Sequence, residues 1–273
     1  MTLEKREKVS QALVAASKGT GDRSNSAVEV ARKSVVEGLR GVGDVISVTP
    51  VLVGEIIAGV IHAAGQVGGE LGTLVKQAIV GTIQGVAEVT TVTEGAVSDI
   101  VRTAIKSTGD VSGDIIKAVQ GVSQGALTAT KGFGLSAEDT IFSIARGAIH
   151  GAKDTGTDLG AVAKATIQGT ILGTKEIGGD VIQTVRYVSR GLIKGTADVG
   201  GDLSAMARDI VAGTIEAAKK ITINTEDAAS AAATGAESAA SEVSETALKA
   251  VTKAVSGTIS GVKVVVKTPF KKT

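Results

Sequence analysis

Residues 56–78 are IIAGVIHAAGQVGGELGTLVKQA, and this stretch decides the fold because its apolar side chains recur at helical spacing. Ile56, Val60 and Ala63 are separated by four and three residues, and a similar alternation continues to Ala78. Each 22-residue unit therefore holds two 11-residue units, or about 3.67 residues per turn, close to the period of a relaxed α-helix. A strand would need a period of two. The pattern predicts a helix with a straight or slightly right-handed apolar seam.

The same unit recurs in constant phase along most of the chain. Nine glycines are separated by 22 or 44 residues, and isoleucine or leucine follows most of them two residues later. The glycine column comprises Gly59, Gly81, Gly125, Gly147, Gly169, Gly191, Gly213, Gly235 and Gly257. We predict an apolar face formed by Ile61, Ile83, Ile105, Leu127, Ile149, Ile171, Ile193 and Ile215, together with Val67, Val89, Val111, Ile177 and Val199.

The unbroken phase also predicts a topology. A helical hairpin normally adds a loop of about 2 to 8 residues at each reversal, and no such insertion disturbs the repeat. The sequence therefore predicts an extended all-α protein with one very long amphipathic helix, or helical segments in line, over 34–221. At about 1.5 Å per residue, this helix would be on the order of 280 Å long.

The flanking segments differ in composition from the repeats. We predict a polar N-terminal segment over 1–33, the repeats over 34–221, an Ala/Ser/Glu-rich low-complexity segment over 222–246, and a last repeat with a basic tail over 247–273. The low-complexity segment is compatible with a solvated helix or with disorder. The basic tail is compatible with a frayed terminus or with an anchor on an anionic surface.

Charged residues form columns that are sorted by sign on the polar side of the predicted helix. One edge is acidic and the other basic, so parallel neighbours would present opposite charges to each other. We therefore predict parallel lateral packing between copies of the chain. Further columns hold Arg102, Arg146 and Arg190, and Asp154, Glu176 and Asp198. The predicted charged edges are Asp114, Asp158, Asp180 and Asp202, and Lys164, Arg186 and Arg208.

The glycine column needs an explanation, because glycine inside a helix costs about 1 kcal/mol relative to alanine. One explanation is close contact between helix backbones at Gly59, Gly81, Gly125, Gly147, Gly169, Gly191 and Gly213. The other is a marginal helix that forms only on a surface.

Composition narrows the classes of function. Aromatic residues are 1% of the chain, cysteine is absent, and 29 basic residues nearly balance 28 acidic ones. Nucleic acid is therefore a poor partner, and thiolate metal sites are excluded. Identical groups repeat along the helix instead of converging on a pocket, so we expect no enzyme and no cofactor. Without a signal sequence, the default location is cytoplasmic, with membrane or granule association as an extension.

Units such as GTIQGVAEV at 81–89 and GTADVGGD at 195–202 resemble the 11-residue-repeat amphipathic helices of perilipins and synucleins. The resemblance covers the style of the repeat over about 34–221. It implies helix formation on lipid droplets or membranes and no catalytic site. The Lys-Thr-Lys-Glu core of synucleins is absent here, and the glycine column is more regular than lipid binding demands.

Two functions remain open from the sequence. The first is a structural protein whose helices self-assemble laterally into a filament, tube or sheet, with itself as partner and lipid as an additional one. The second is a peripheral coat on a droplet, granule or membrane. The glycine and charge columns favour the first function, because they are suited to contacts with neighbouring helices instead of lipid.

Overall fold

The computed structural model describes residue 11 and residues 23–40, 45–67, 70–110 and 114–266. These residues form eleven α-helices and a terminal β-hairpin, which we number in chain order. The helices are α1 Arg23–Leu39, α2 Val45–Val67, α3 Leu71–Val89, α4 Glu94–Asp110, α5 Ile115–Thr130, α6 Ala137–Thr155, α7 Leu159–Ile177, α8 Val181–Asp198, α9 Leu203–Ile221, α10 Thr225–Val243 and α11 Glu245–Val255. The hairpin consists of β1 Gly257–Ile259 and β2 Val262–Val264, which pair antiparallel.

The helices form two layers, because each helix from α1 to α10 packs most closely against a helix two places away in the chain, and α11 contacts α9 and α10 about equally. We call α1, α3, α5, α7, α9 and α11 the odd layer, and α2, α4, α6, α8 and α10 the even layer. Contacts between consecutive helices join the two layers. The architecture is a stacked helical repeat, in which each unit mainly contacts its near neighbours.

Neighbours within a layer are parallel. Gly169 and Gly173 of α7 lie against Gln120 and Gln124 of α5, so both helices advance in the same direction with an offset of 49 residues. The same offset relates Gly191 of α8 to Phe142 of α6. Because α5 and α7 are parallel neighbours, α6 between them must run back in the opposite direction. The chain therefore reverses at every unit.

The prediction of one very long helix is wrong. A helix such as α7 has 19 residues, about 28 Å long, and the three-residue connection 178–180 completes the 22-residue unit. The reversal is thus contained within the repeat and does not disturb its phase. Constant phase excludes irregular insertions, but it does not exclude a loop of constant length in every unit.

The acidic residues predicted as one lateral edge lie instead at helix N-termini. Asp114, Asp158, Asp180 and Asp202 are the N-cap residues of α5, α7, α8 and α9, and each carboxylate accepts a hydrogen bond from a backbone N–H of the first turn. Ser136 and Asn224 cap α6 and α10 in the same phase. An N-cap side chain satisfies a donor that the helix leaves unpaired, so this column marks where each helix begins.

Glycine supplies the corresponding stop signal at several connections. Gly156 and Gly178 follow α6 and α7 with φ values of 68° and 72°, in the left-handed region that glycine adopts at low cost. The Gly-x-Asp sequences at 156–158 and 178–180 therefore combine a helix end with the start of the next helix.

The isoleucine column lies in the core of the two-layer array. Ile61 is half-buried, and the remaining members are buried, namely Ile83, Ile105, Leu127, Ile149, Ile171, Ile193 and Ile215. The valine column lies at helix ends, where Val89, Ile177 and Val199 are half-buried. Val67 ends α2, and Val111 lies outside the described residues.

Threonine fills core positions without leaving most of its hydroxyls unpaired. Thr166, Thr170 and Thr174 of α7 are buried, and each hydroxyl donates to the backbone carbonyl four residues earlier. Buried hydroxyls that are hydrogen-bonded carry little desolvation cost. A core of Ile, Val, Ala and Thr is possible because the parallel helices approach closely.

The C-terminal segments close this end of the array. Within the low-complexity segment, α10 packs against α8, α9 and α11, with its alanines buried. The hairpin lies beside it, and Val262 and Val264 are buried, with β2 contacting α10. The basic residues at 267–272 lie outside the described part of the chain. Among the described helices, none is both long and apolar enough to cross a membrane.

Candidate functional site

The glycine column lies at the contacts between parallel helices. A methyl group added at Gly147, Gly169 or Gly191 would approach a backbone carbonyl of the neighbouring helix to less than 3.0 Å, a separation that real Cβ atoms do not reach. The column behaves similarly at Gly81 and Gly125. Gly213 instead meets the side chain of Lys164, and Gly59 is buried in α2.

Ion pairs bridge the parallel helices of the even layer. Arg102 of α4 donates to Asp154 of α6 at 2.6 Å, and Arg146 of α6 donates to Asp198 of α8 at 2.6 Å. Arg190 of α8 pairs with Glu242 of α10 at 3.1 Å, and also with Glu138 of α6. We call the ion pairs of these three arginines the arginine ladder. The hydrogen bond from Arg102 holds the pKa of Asp154 below its usual value.

The three predicted basic edge residues are not brought together. Lys164 of α7 pairs with Asp209 of α9 at 3.3 Å in the odd layer. Arg186 lies in α8 of the even layer, and its Nε is enclosed with no hydrogen-bond partner among the described residues. Arg208 is exposed on α9. These positions do not form the continuous basic edge that the single-helix prediction required.

The odd layer differs from the even layer between α3 and α5. Among the described residues, no side-chain hydrogen bond or ion pair joins these two helices, and a groove with a volume of about 910 Å³ lies over them. Val28 of α1 and Glu176 of α7 complete its walls. Its polar lining residues are Glu70, Thr73, Lys76, Gln77, Asp114, Lys117, Gln120, Gln124, Thr128 and Glu176.

One end of the groove is closed by a hydrogen-bonded cluster around Glu176. Its carboxylate accepts from Lys76 Nζ at 2.7 Å and from Gln124 Nε2 at 3.0 Å, so Lys76 reaches from α3 across α5 to α7. Thr128 lies at 3.5 Å from the same oxygen. Burial raises the pKa of Glu176, but the hydrogen bonds from Lys76 and Gln124 outweigh it, so the pKa is lowered overall.

The other end of the groove lies at the N-termini of α3 and α5. Asp114 caps α5, and its carboxylate accepts from the backbone N–H of Lys117 at 3.1 Å, which lowers the pKa of Asp114. The Lys117 ammonium lies 3.3 Å from the same carboxylate. Glu70 precedes α3 without making a side-chain cap, and its described contact is a hydrogen bond from Thr73 Oγ1 at 3.4 Å.

Glutamine amides occupy the middle of the groove. Gln77 Oε1 on α3 is shielded from solvent and has no hydrogen-bond partner among the described residues. Gln120 on α5 is half-buried, and its carboxamide makes no hydrogen bond to another described residue. Gln124 uses its Nε2 on Glu176. The groove therefore contains amide donors and acceptors that no described residue of the chain uses.

The arrangement offers hydrogen-bonding groups and charge. Among the described residues, no group of three or more His, Asp or Glu side chains has the placement needed to hold a metal ion. His150 lies in the even layer, with Nε2 at 3.6 Å from Asp198 Oδ2, away from the groove.

The glutamines of the groove are not among the site residues predicted from the sequence. The available signal was a 44-residue alternation inside the 22-residue repeat. Arg102, Arg146 and Arg190 recur every 44 residues, and Gln124 and Gln168 occupy the same column in the alternate units. A 44-residue period indicates two kinds of helix, and therefore two layers.

Comparison with known proteins gives no family assignment. No protein-family model matches the chain, and no curated protein matches it significantly. The fold defines the class, which is a two-layer array of helical repeats with parallel packing within each layer.

Proposed function

We propose that the protein is a non-enzymatic binding scaffold, in which a prefolded helical array holds the groove of the odd layer open for a partner. The observation that carries this proposal is the difference between the α3–α5 contact and the other contacts within the layers. The arginine ladder pairs charges within the even layer, and Arg32–Glu88 and Lys164–Asp209 do so at two contacts of the odd layer. The glutamines of the groove over α3 and α5 instead have hydrogen-bonding groups with no partner among the described residues.

The packing of the apolar columns supports a scaffold over a lipid coat. A coat needs its apolar face free for lipid, whereas Ile83, Ile149 and Ile193 are buried between helices of the same chain. Few large apolar side chains are exposed among the described residues, and they are scattered as Val51, Ile116, Val243 and Val265. Scattered apolar side chains do not form the patch that marks a lipid or partner surface.

The same packing bears on self-assembly. The glycine column and the arginine ladder make contacts between parallel helices, as lateral assembly requires, but their partners are helices of the same chain. The first described helix of the odd layer, α1, presents exposed Glu29, Lys33 and Glu37. Charged outer surfaces oppose stacking of one array on another. Parallel packing between separate copies stays a prediction without support from these contacts.

Folding in the absence of lipid is the test of this proposal. We expect the purified chain to be strongly helical by circular dichroism in plain buffer and to have the monomer mass of 27.2 kDa by light scattering. Anionic vesicles should leave the helix content unchanged. Helicity that arises only with vesicles would instead support a coat, and polymers in buffer would support self-assembly.

A pair of matched variants makes the test sharper. Ile149→Asp places a carboxylate in the core and should unfold the array or destabilise it by several kcal/mol, because an unpaired buried charge is costly. Ile116→Asp is the control, because Ile116 is 39% exposed. If Ile149→Asp stays folded in buffer and loses only vesicle binding, the scaffold proposal is wrong.

A further inference from the structure

We propose that the groove binds an extended polypeptide segment of a partner, with its main chain read by Gln77, Gln120 and Gln124 and a basic side chain beside Glu70. This inference rests on the proposed scaffold function and names the partner class of the same site.

The length of the groove suits a short extended chain. Its polar lining along α5 runs from Asp114 to Thr128, which is about 21 Å at 1.5 Å per residue. About six residues of an extended chain at 3.3 Å each would span this length. An extended chain also leaves its main-chain N–H and C=O groups free to hydrogen-bond to the groove, whereas those of a helix are already paired within the helix.

The spacing of the glutamines matches the repeat of an extended main chain. Gln120 and Gln124 are one helical turn apart on α5, which separates them by about 6 Å along the helix axis. In an extended chain, peptide groups on the same side recur every two residues, or about 6.6 Å. A carboxamide carries both a donor and an acceptor, so it complements the N–H and C=O of a peptide.

Gln77 supplies an acceptor from the opposite wall of the groove. Its Oε1 is enclosed on α3 and lacks a hydrogen-bond donor among the described residues. A buried acceptor without a donor is unfavourable, so a rotation of the Gln77 side chain toward a peptide N–H in the groove would give this oxygen a hydrogen bond that the described residues do not supply. The two walls together can therefore contact both edges of an extended segment.

The charges of the groove favour a basic segment over an anionic one. Glu70, Asp114 and Glu176 outnumber Lys76 and Lys117, and both lysines already lie within ion-pair distance of an acidic residue of the groove. Glu70 has no cation within ion-pair distance among the described residues. A Lys or Arg at one end of the segment would pair with Glu70 and fix the direction of the chain, although such exposed pairs contribute little affinity.

The test uses fluorescein-labelled heptapeptide pools and fluorescence anisotropy with the full chain. One pool has lysine at the first position and mixtures of Ser, Thr and Val elsewhere. The second is identical but carries N-methyl groups on alternate peptide nitrogens, which removes main-chain donors without changing the side chains. The third replaces the lysine by glutamate. We expect the first pool to bind with a Kd under about 1 mM, the N-methyl pool roughly tenfold more weakly, and the glutamate pool a few-fold more weakly.

Variants assign the binding to the groove. Gln77→Met and Gln120→Met keep the size of the side chain and should together weaken the first pool by roughly fivefold. Gln168→Met on α7 is the matched control, because Gln168 is also half-buried on an odd-layer helix but does not line the groove. Thermal unfolding followed by circular dichroism checks that all three variants fold as the wild type does.

Several outcomes would overturn the peptide assignment. These are no binding of any pool at about 1 mM, equal binding of the N-methyl pool, or equal loss of affinity in Gln168→Met. Tighter binding of phosphatidylglycerol vesicles than of peptides, lost in the Gln77→Met and Gln120→Met variant, would assign the groove to lipid headgroups. If the peptides fail while the chain is a folded monomer without lipid, the scaffold proposal stands and the peptide inference falls.

Discussion

The two layers are packed alike but differ on their outer surfaces. Gly191 in the even layer and Gly169 in the odd layer lie equally close to a neighbouring backbone, so the contacts that hold parallel helices together are shared. The even layer then bridges each of its pairs from α4 to α10 with arginine. In the odd layer Arg32 of α1 bridges to Glu88 of α3, whereas α3 and α5 have no such bridge among the described residues. The close glycine contacts are therefore shared by the units of the repeat, whereas the capacity to bind a partner depends on polar positions that differ between units.

The largest expected effect tests the shared packing. Gly169→Ala in the odd layer and Gly191→Ala in the even layer should each lower the free energy of unfolding by about 1 to 3 kcal/mol, since overpacking against a backbone outweighs the gain in helix propensity. Urea unfolding followed by circular dichroism measures this. A marked difference between the two variants would show that the layers are not packed alike.

Gly95 is the matched control for the glycine variants. It lies in the first turn of α4, where an added methyl would have only Thr93 Oγ1 nearby, at 3.9 Å. Gly95→Ala should therefore leave the stability unchanged or raise it by up to about 1 kcal/mol. If Gly169→Ala is as stable as Gly95→Ala, close backbone contact is not what maintains glycine in this column.

A smaller effect tests the arginine ladder against the groove. Arg146→Met removes a bridge of the even layer and should cost about 1 kcal/mol or less, because Arg146 is 46% exposed. Lys76→Met should have a similar effect on stability but also free Glu176 within the groove. Peptide affinity should change for Lys76→Met and not for Arg146→Met. Equal effects of both variants on affinity would remove the functional distinction between the layers.

The smallest expected effect concerns acid. Hydrogen bonds from Arg102 hold the pKa of Asp154 below its usual value, and Lys76 and Gln124 do the same for Glu176 against the effect of burial. A lowered folded-state pKa contributes stability that is present above the unfolded pKa and lost as the pH falls through the folded pKa. Urea midpoints should therefore fall below about pH 4.

Amide variants assign the acid sensitivity to each layer. Asp154→Asn in the even layer and Glu176→Gln in the odd layer should each make the urea midpoint less dependent on pH in this range. A midpoint of the wild type that rises on acidification would contradict the sign of both shifts.

The helical class followed from the sequence, whereas the number and direction of the helices did not. Spacings such as Ile56 to Val60 to Ala63 report the local period, and that period is the same in one long helix and in a series of short ones. The reversals are encoded in Gly178-Gly179-Asp180 and its equivalents, but the recurrence of Asp180 and its equivalents predicts an acidic edge equally well. An N-cap aspartate accepts a hydrogen bond from a backbone N–H two or three residues later, whereas an edge aspartate faces another helix. A column of identical residues does not distinguish these two roles.

The candidate site was harder to predict from the sequence than the fold. A regular column indicates packing that every unit shares. Residues predicted from such columns, such as Gly147 and Ile149, therefore hold the array together. Gln77 and Gln120 lie 43 residues apart and line the same groove only because α3 and α5 are parallel neighbours. The proximity of these two glutamines depends on the layer structure, so it could not be predicted before the fold was known.

Because the chain reverses once in every 22-residue unit, consecutive units alternate between the two layers. Because neighbours within a layer lie two units apart, removing 44 residues such as 137–180 would return every later helix to its own layer, with a parallel neighbour of the same kind. Removing 22 residues would exchange the layers of everything downstream and set arginines against glutamines. We therefore expect such a protein to accept changes in length of two units at a time. Duplication of 44 residues would lengthen the array and keep every contact between parallel helices.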